Sequence, residues 1–154
     1  MESETSKSKI WKVITLSTAV ISLLAGGMIY LLFRPERLLM FDFIKYVQLW
    51  NYLEIARFTT HFLPEWVEYN LPDGLWTFSY TLCIGYVWKF DIKKCWLFIL
   101  ILPSIAIADE CLQYFQIVPG TYDAWDIFAY SIASLLGVLF VYIVNCLIIK
   151  SIKL

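Results

Sequence analysis

Asp73, Asp109, Glu110, Asp123 and Asp126 are the residues of this chain best placed to do chemistry, because each falls at the edge of a long apolar stretch. Asp109 and Glu110 follow directly on Ile105, Ala106, Ile107 and Ala108, and helical spacing makes each of them a neighbour of Gln113. Asp123 and Asp126 open the next stretch after the Pro119-Gly120 turn, with Tyr130 one helical turn further on; Asp73 stands straight after Pro72. A carboxylate at the border of hydrocarbon is costly unless it is paired, protonated or hydrogen-bonded. Two of them in one low-dielectric site can separate their proton affinities and so divide acid and base roles. The same oxygens can hold a divalent cation. Glu110 and Asp126 are therefore the candidates for a chemical role, and Asp73, Asp109, Gln113, Asp123 and Tyr130 the candidates for binding a substrate around them. No metal site and no cofactor is assigned, and whether the site catalyses anything is left open.

Each of these residues also has a plainer use. Asp123 or Asp126 would cap the last helix and complement its dipole. Ser134 and Gly137 suit close packing of helices in a membrane, and Gly120 suits the turn after Pro119. Glu110 is harder to explain in this way, since it stands neither at a helix start nor beside a basic partner.

The elements that must position these side chains are four apolar stretches. The chain has 154 residues, 60% of them hydrophobic and 16% charged, more apolar surface than a soluble domain of this length can bury. Crossing a bilayer core of roughly 30 Å takes about 20 apolar residues as a helix. The expectation is an all-α polytopic membrane protein: a single integral membrane domain over 1–154, with spans at about 10–33, 73–90, 95–113 and 126–149 and an amphipathic interfacial segment over 38–70. The first stretch is too long for a signal peptide, and Arg34, Pro35, Glu36 and Arg37 give no small-residue cleavage site. On the last span, Asp126, Tyr130, Ser134, Gly137, Val141 and Asn145 fall on one face, expected to turn inward. Phe128, Ile132, Leu135, Leu139 and Cys146 fall on another, expected to meet lipid. Asp73, Thr77, Tyr80 and Thr81 give the second span a similar polar face. Cys83, Cys95, Cys111 and Cys146 lack metal or redox spacing and read as packing residues. His61 reads as an interfacial residue.

Four spans put both termini on one side, where they would join the lysines of the 89–94 connector. The positive-inside rule makes that side cytoplasmic. Most acids then face outward, so the outer surface is acidic. Between the first two spans, polar residues recur every third position (Asp42, Lys45, Gln48, Asn51, Glu54, Arg57, Thr60) among many aromatics. Such a spacing slips by about 60° per step against a 3.6-residue turn. The stripe is compatible with two short helices bent near Trp50, or with one helix partly covered by protein. Leu63-Pro64 and Leu71-Pro72 would end the segment.

The run Asp109-Glu110-Cys111-Leu112-Gln113-Tyr114-Phe115 resembles the E-x-x-Q-x-F element of VanZ-like bacterial membrane proteins. Residues 119–126, Gly137 and residues 71–76 resemble the turn and acidic helix start, the last-helix glycine and the acidic opening of the earlier span in that family. The resemblance covers about 71–142. The chain departs from the family in lacking a histidine near Thr77, an arginine near Thr121 and an asparagine near Tyr130. The resemblance implies a multi-pass protein of the bacterial cytoplasmic membrane, both termini cytoplasmic, with a place in the cell envelope and a link to glycopeptide (teicoplanin) resistance. It implies no defined reaction.

Two functions follow as expectations. One is an envelope protein whose outer acidic pocket engages a lipid-linked or amphipathic component. The other is a non-enzymatic scaffold or accessory subunit that binds a membrane protein partner through its aromatic outer segment. A transport path ranks below both, because the acids gather at one edge rather than through the membrane middle. Phosphate loops, nucleophile elbows and zinc motifs are absent from the sequence, and an acidic outer face with few arginines does not suit nucleic acid.

Overall fold

The computed structural model describes residues 6–34, 39–48, 50–59 and 63–152. Glu36, Arg37, Thr60 and His61 lie outside them. Seven helices occur among the described residues, and no strand. They are α1 (Ser6–Phe33), α2 (Leu39–Tyr46), α3 (Trp50–Thr59), α4 (Glu65–Tyr69), α5 (Leu71–Val87), α6 (Ile92–Tyr114) and α7 (Ala124–Ile152).

Three of the four expected spans, α1, α6 and α7, are long and apolar enough to cross a membrane. At 28, 23 and 29 residues they measure about 42, 35 and 44 Å by the helical rise. The second span is shorter than expected. α5 has 17 residues, about 26 Å, and gives way at Trp88 to a turn in which Lys89 and Phe90 are both left-handed, φ +52° and +64°. Its start also differs. Leu71-Pro72 opens the helix instead of ending the segment before it, because a proline in the first turn replaces an N–H that has no helical acceptor.

α5 is the central helix, packed against α1, α6 and α7. Its registers with them define the bundle. The Ser79 hydroxyl donates to the Ala19 carbonyl at 2.8 Å and the Trp76 indole N–H to the Leu23 carbonyl at 3.2 Å, so α5 runs antiparallel to α1. Gly74 faces Ala129 and Ala133, Thr81 faces Gly137 and Gly85 faces Val141, so α5 runs parallel to α7. The glycines permit this approach. A Cβ on Gly137 would stand 2.6 Å from Thr81 Cγ2, and one on Gly85 would collide with both Val141 methyls.

Within α6, Pro103 cannot donate to the Ile99 carbonyl. One residue earlier, the Phe98 carbonyl takes the Tyr80 hydroxyl at 2.5 Å, which ties α5 to α6. At the end where α5 meets α6, Phe90, Leu82, Ala19, Val141 and Val144 close an apolar core, with Trp11 and Tyr86 against it.

α7 divides as its sequence pattern implies. Gly137 and Val141 are buried and Asp126, Tyr130, Ser134 and Asn145 half-buried, while Phe128, Ile132, Leu135, Leu139 and Cys146 are exposed on the bundle surface. The segment after α1 forms three helices, α2 and α3 with a break before Trp50, where Gln48 is left-handed at φ +60°, and the short α4, which carries the segment past Leu63-Pro64. Phe41 of α2 is fully buried against the Trp50 ring edge (6.0 Å) and beneath the Arg57 guanidinium (5.0 Å), which folds α2 onto α3.

Candidate functional site

The polar end of the bundle is built where α4 joins α5. Asn70 sits between the two helices. Its N–H donates to the Trp66 carbonyl and its own carbonyl accepts from Gly74, both at 3.1 Å. Its backbone is thus satisfied, and its side chain makes no capping bond to α5. Instead the buried Asn70 amide crosses to α7 and donates both hydrogens, one to Asp126 Oδ1 at 2.7 Å and one to Asp123 Oδ2 at 2.9 Å. Two carboxylates are held together by one uncharged donor, which supplies charge-assisted hydrogen bonds without a competing ion pair.

Asp123 is the hub. Its Oδ1 accepts the Trp125 N–H at 2.8 Å and so caps α7. Its own N–H donates to Glu110 Oε2 at 3.0 Å, which closes the α6–α7 hairpin over the site. Glu110 is only 7% exposed. A carboxylate this covered needs such a donor, because an unpartnered buried acid is strongly disfavoured.

Asp73 reaches the same end from the first turn of α5. It faces Arg34, which follows α1, at 3.5 Å, with both side chains mostly covered. Arg34 also donates to the Tyr69 carbonyl at 2.8 Å and lies over the Tyr30 and Tyr69 rings. Its Nε is buried with no acceptor. Arg57 of α3 in turn donates to the carbonyls of Arg34 (2.7 Å) and Leu31. A cation at the C-terminus of α1 satisfies carbonyls left without helical donors and complements the dipole. α3, with α2 folded onto it, is thereby tied through Arg57 and Arg34 to Asp73.

No protein-family model, curated protein or solved structure matches the chain.

Of the residues singled out in the sequence, Glu110, Asp123, Asp126 and Asp73 meet at this one end, and Tyr130 lies on α7 within electrostatic range of Asp73, Asp126 and Glu110. Asp109 and Gln113 stand apart. Asp109 is exposed and takes the Gln113 amide at 2.8 Å, so Gln113 pairs with Asp109 and not with Glu110. The Gln113 side chain also packs against Gly120 and leaves no room for a Cβ there, and the Gly120 φ of +152° is one that other residues rarely adopt. Among the described residues no three acidic, histidine or cysteine side chains converge as a metal-ligand set.

Asn70 and Arg34 were not among the sequence candidates. Asn70 stands directly before Leu71-Pro72-Asp73, and a polar residue at such a helix start is a legible signal. Arg34 could be seen only as a charge closing the first apolar stretch.

Beside this network a cavity of about 950 Å³ opens between α1, α4, α5 and α7. Its mouth carries Glu65, Asn70 and Asp123. Its floor is Gly74, Ala129 and Ala133, and its walls are large apolar residues of α5 and α7. The arrangement joins a polar end to an apolar trough, the shape expected of a site for an amphipathic molecule.

Proposed function

We propose that this chain is a four-span protein of the bacterial cell envelope, a divergent relative of the VanZ-like proteins, whose outward acidic site engages an amphipathic or lipid-linked envelope component. The observation that carries the reading is the meeting of the Asn70–Asp123–Asp126 network with the trough between α5 and α7. Water-facing chemistry at one end and apolar walls along the bundle suit a molecule with a polar head and a chain.

The registers support α5 as the fourth crossing. It runs antiparallel to α1 and α6 and parallel to α7, so it travels between the same two ends as its longer neighbours. Its 17 residues span most of a roughly 30 Å core. The lysines of the connector after α5 favour the cytoplasm for the apolar end and the outside for the carboxylates. A link to glycopeptide resistance rests on the resemblance of residues 109–126.

The test is a chromosomal Glu110→Gln or Asp126→Asn strain with unchanged protein level. The expected result is loss of the envelope or glycopeptide-tolerance phenotype of the parent. Parental behaviour in both strains would remove the chemical role of these carboxylates.

A scaffold function is the second reading. Phe43, Tyr46 and Tyr52 of α2 and α3 are 65%, 84% and 77% exposed, and exposed aromatics favour recognition of a partner. Affinity capture from gently solubilised membranes tests it; a stoichiometric partner lost on Tyr46→Ser and Tyr52→Ser would support it over the first.

A further inference from the structure

The mouth of the trough contains more than acids. Trp66, Tyr69 and Trp125 line it together with Glu65 and Asp123, and no lysine or arginine is among its lining residues. Trp66 and Trp125 are 58% and 63% exposed, so their ring faces are open to a ligand. Carboxylates interleaved with aromatic faces are the chemistry that recognises an ammonium group, by ion pairing and by cation–π attraction. The same mouth repels a head of net negative charge that brings no ammonium. Arg34 lies over the Tyr69 ring at 4.9 Å, its guanidinium turned to Asp73 and the Tyr69 carbonyl, which leaves Trp66 and Trp125 as the free aromatic faces.

The trough has the length of a chain in one leaflet. From Trp125 to Leu136 along α7 it runs about 17 Å by the helical rise, against about 15 Å for half a bilayer core. Its floor of Gly74, Ala129 and Ala133 leaves the depth, and Phe128 and Ile132 flank it with exposed apolar surface.

We propose that the trough is selective for an ammonium-headed amphiphile, the head seated among Glu65, Asp123, Trp66 and Trp125 and an acyl chain lying along α7 past Phe128 and Ile132. This rests on the reading of the site as a binder of amphipathic molecules and adds the charge of the head. A helix from a partner protein fits less well, since an apolar helix brings no cation to the acidic mouth.

The test uses the full chain in a non-ionic detergent, titrated with phosphatidylethanolamine and with phosphatidylglycerol of identical acyl chains, bound lipid being counted by native mass spectrometry. Phosphatidylethanolamine should bind roughly tenfold more tightly, since the mouth attracts one head and repels the other. Glu65→Gln should narrow that preference by about twofold to threefold, as removal of one exposed charge does. Ala129→Leu, which fills the floor, should abolish binding of both lipids. Ile132→Trp crowds the trough from its exposed wall and serves if Ala129→Leu does not fold. Equal affinity, or a preference for phosphatidylglycerol, with both lipids lost in the trough variants, would overturn the ammonium selectivity and leave the amphiphile site standing. Binding of neither lipid, or binding indifferent to the trough variants, would overturn the proposal together with the reading beneath it.

Discussion

Removing the Asn70 amide should unfasten α4–α5 from α7 more than any other single polar change. In Asn70→Ala two hydrogen bonds to carboxylates are lost, at 2.7 and 2.9 Å. Bonds of this kind are worth about 1.5–3 kcal/mol each in water-soluble proteins. Interhelical polar contacts in membranes average about 0.6 kcal/mol and reach about 1.7. Asp123 keeps the Trp125 N–H, and both acids, being half-buried, can recruit water. The lower scale therefore governs, and the expected loss is about 2 kcal/mol for the pair. Asn70→Asp should be worse, because it replaces the shared donor by a third carboxylate. The assay is reversible denaturant unfolding in mixed micelles, with Asp126→Asn and the double variant completing a cycle. A coupling energy of about 1 kcal/mol is expected for residues in direct contact. If Asn70→Ala falls within about 0.5 kcal/mol of the parent, as an ordinary surface change does, and couples to nothing, the bridging role is refuted.

The adjacent glycines of α1 offer an internal control. A Cβ on Gly26 meets the Trp76 ring at 2.7 and 2.8 Å and the Pro72 carbonyl at 3.1 Å, whereas Gly27 has open space; Gly26→Ala should cost about 1–3 kcal/mol and Gly27→Ala nothing measurable or a gain of up to about 1 kcal/mol, both read by the same unfolding assay. Lys89 is exposed and left-handed at φ +52°, so Lys89→Gly should stabilise the α5–α6 turn by about 1 kcal/mol. The Asp91 carboxyl is held below its ordinary range by the Lys94 ammonium, which hydrogen-bonds it at 3.0 Å. A lowered folded-state value means stability present above the unfolded value and lost as pH falls through the folded one, so NMR titration should find Asp91 low and Lys94→Ala should move it upward.

Much of the bundle was legible because helical periodicity records burial directly. The inward and outward stripes of α7 differ in size and polarity at every turn, and both are turned as the pattern implies. The slip of the three-residue polar spacing allowed either a bend near Trp50 or one partly covered helix, and the structure has the break, placed just before Trp50. Long-range choices were not legible. Asp109 and Glu110 differ by about 100° around α6, and only the packing of that helix decides that Glu110 turns inward to Asp123 while Asp109 stays outside with Gln113. Asn70 looks like a cap in sequence, but its partners lie 53 and 56 residues away. The bounds of α5 were misplaced at both ends: the helix starts earlier than expected, at Leu71, because the first-turn proline belongs inside it, and the left-handed pair Lys89 and Phe90 stops it early, at Val87.

The convergence of α5 and α7 at an acidic rim, and the outward orientation proposed for it, are tested most directly by a paired-cysteine cross-link. Asn70→Cys and Asp126→Cys are combined in a chain whose Cys83, Cys95, Cys111 and Cys146 are replaced by alanine, and intact cells are treated with a mild oxidant and then with a membrane-impermeant thiol reagent. Rapid disulfide formation in the pair, with a cysteine placed singly at the exposed Gln116 of the α6–α7 turn open to the impermeant reagent from outside, is the expected result. A pair that never cross-links, or a Gln116→Cys thiol that reacts only after the cells are opened, would contradict it.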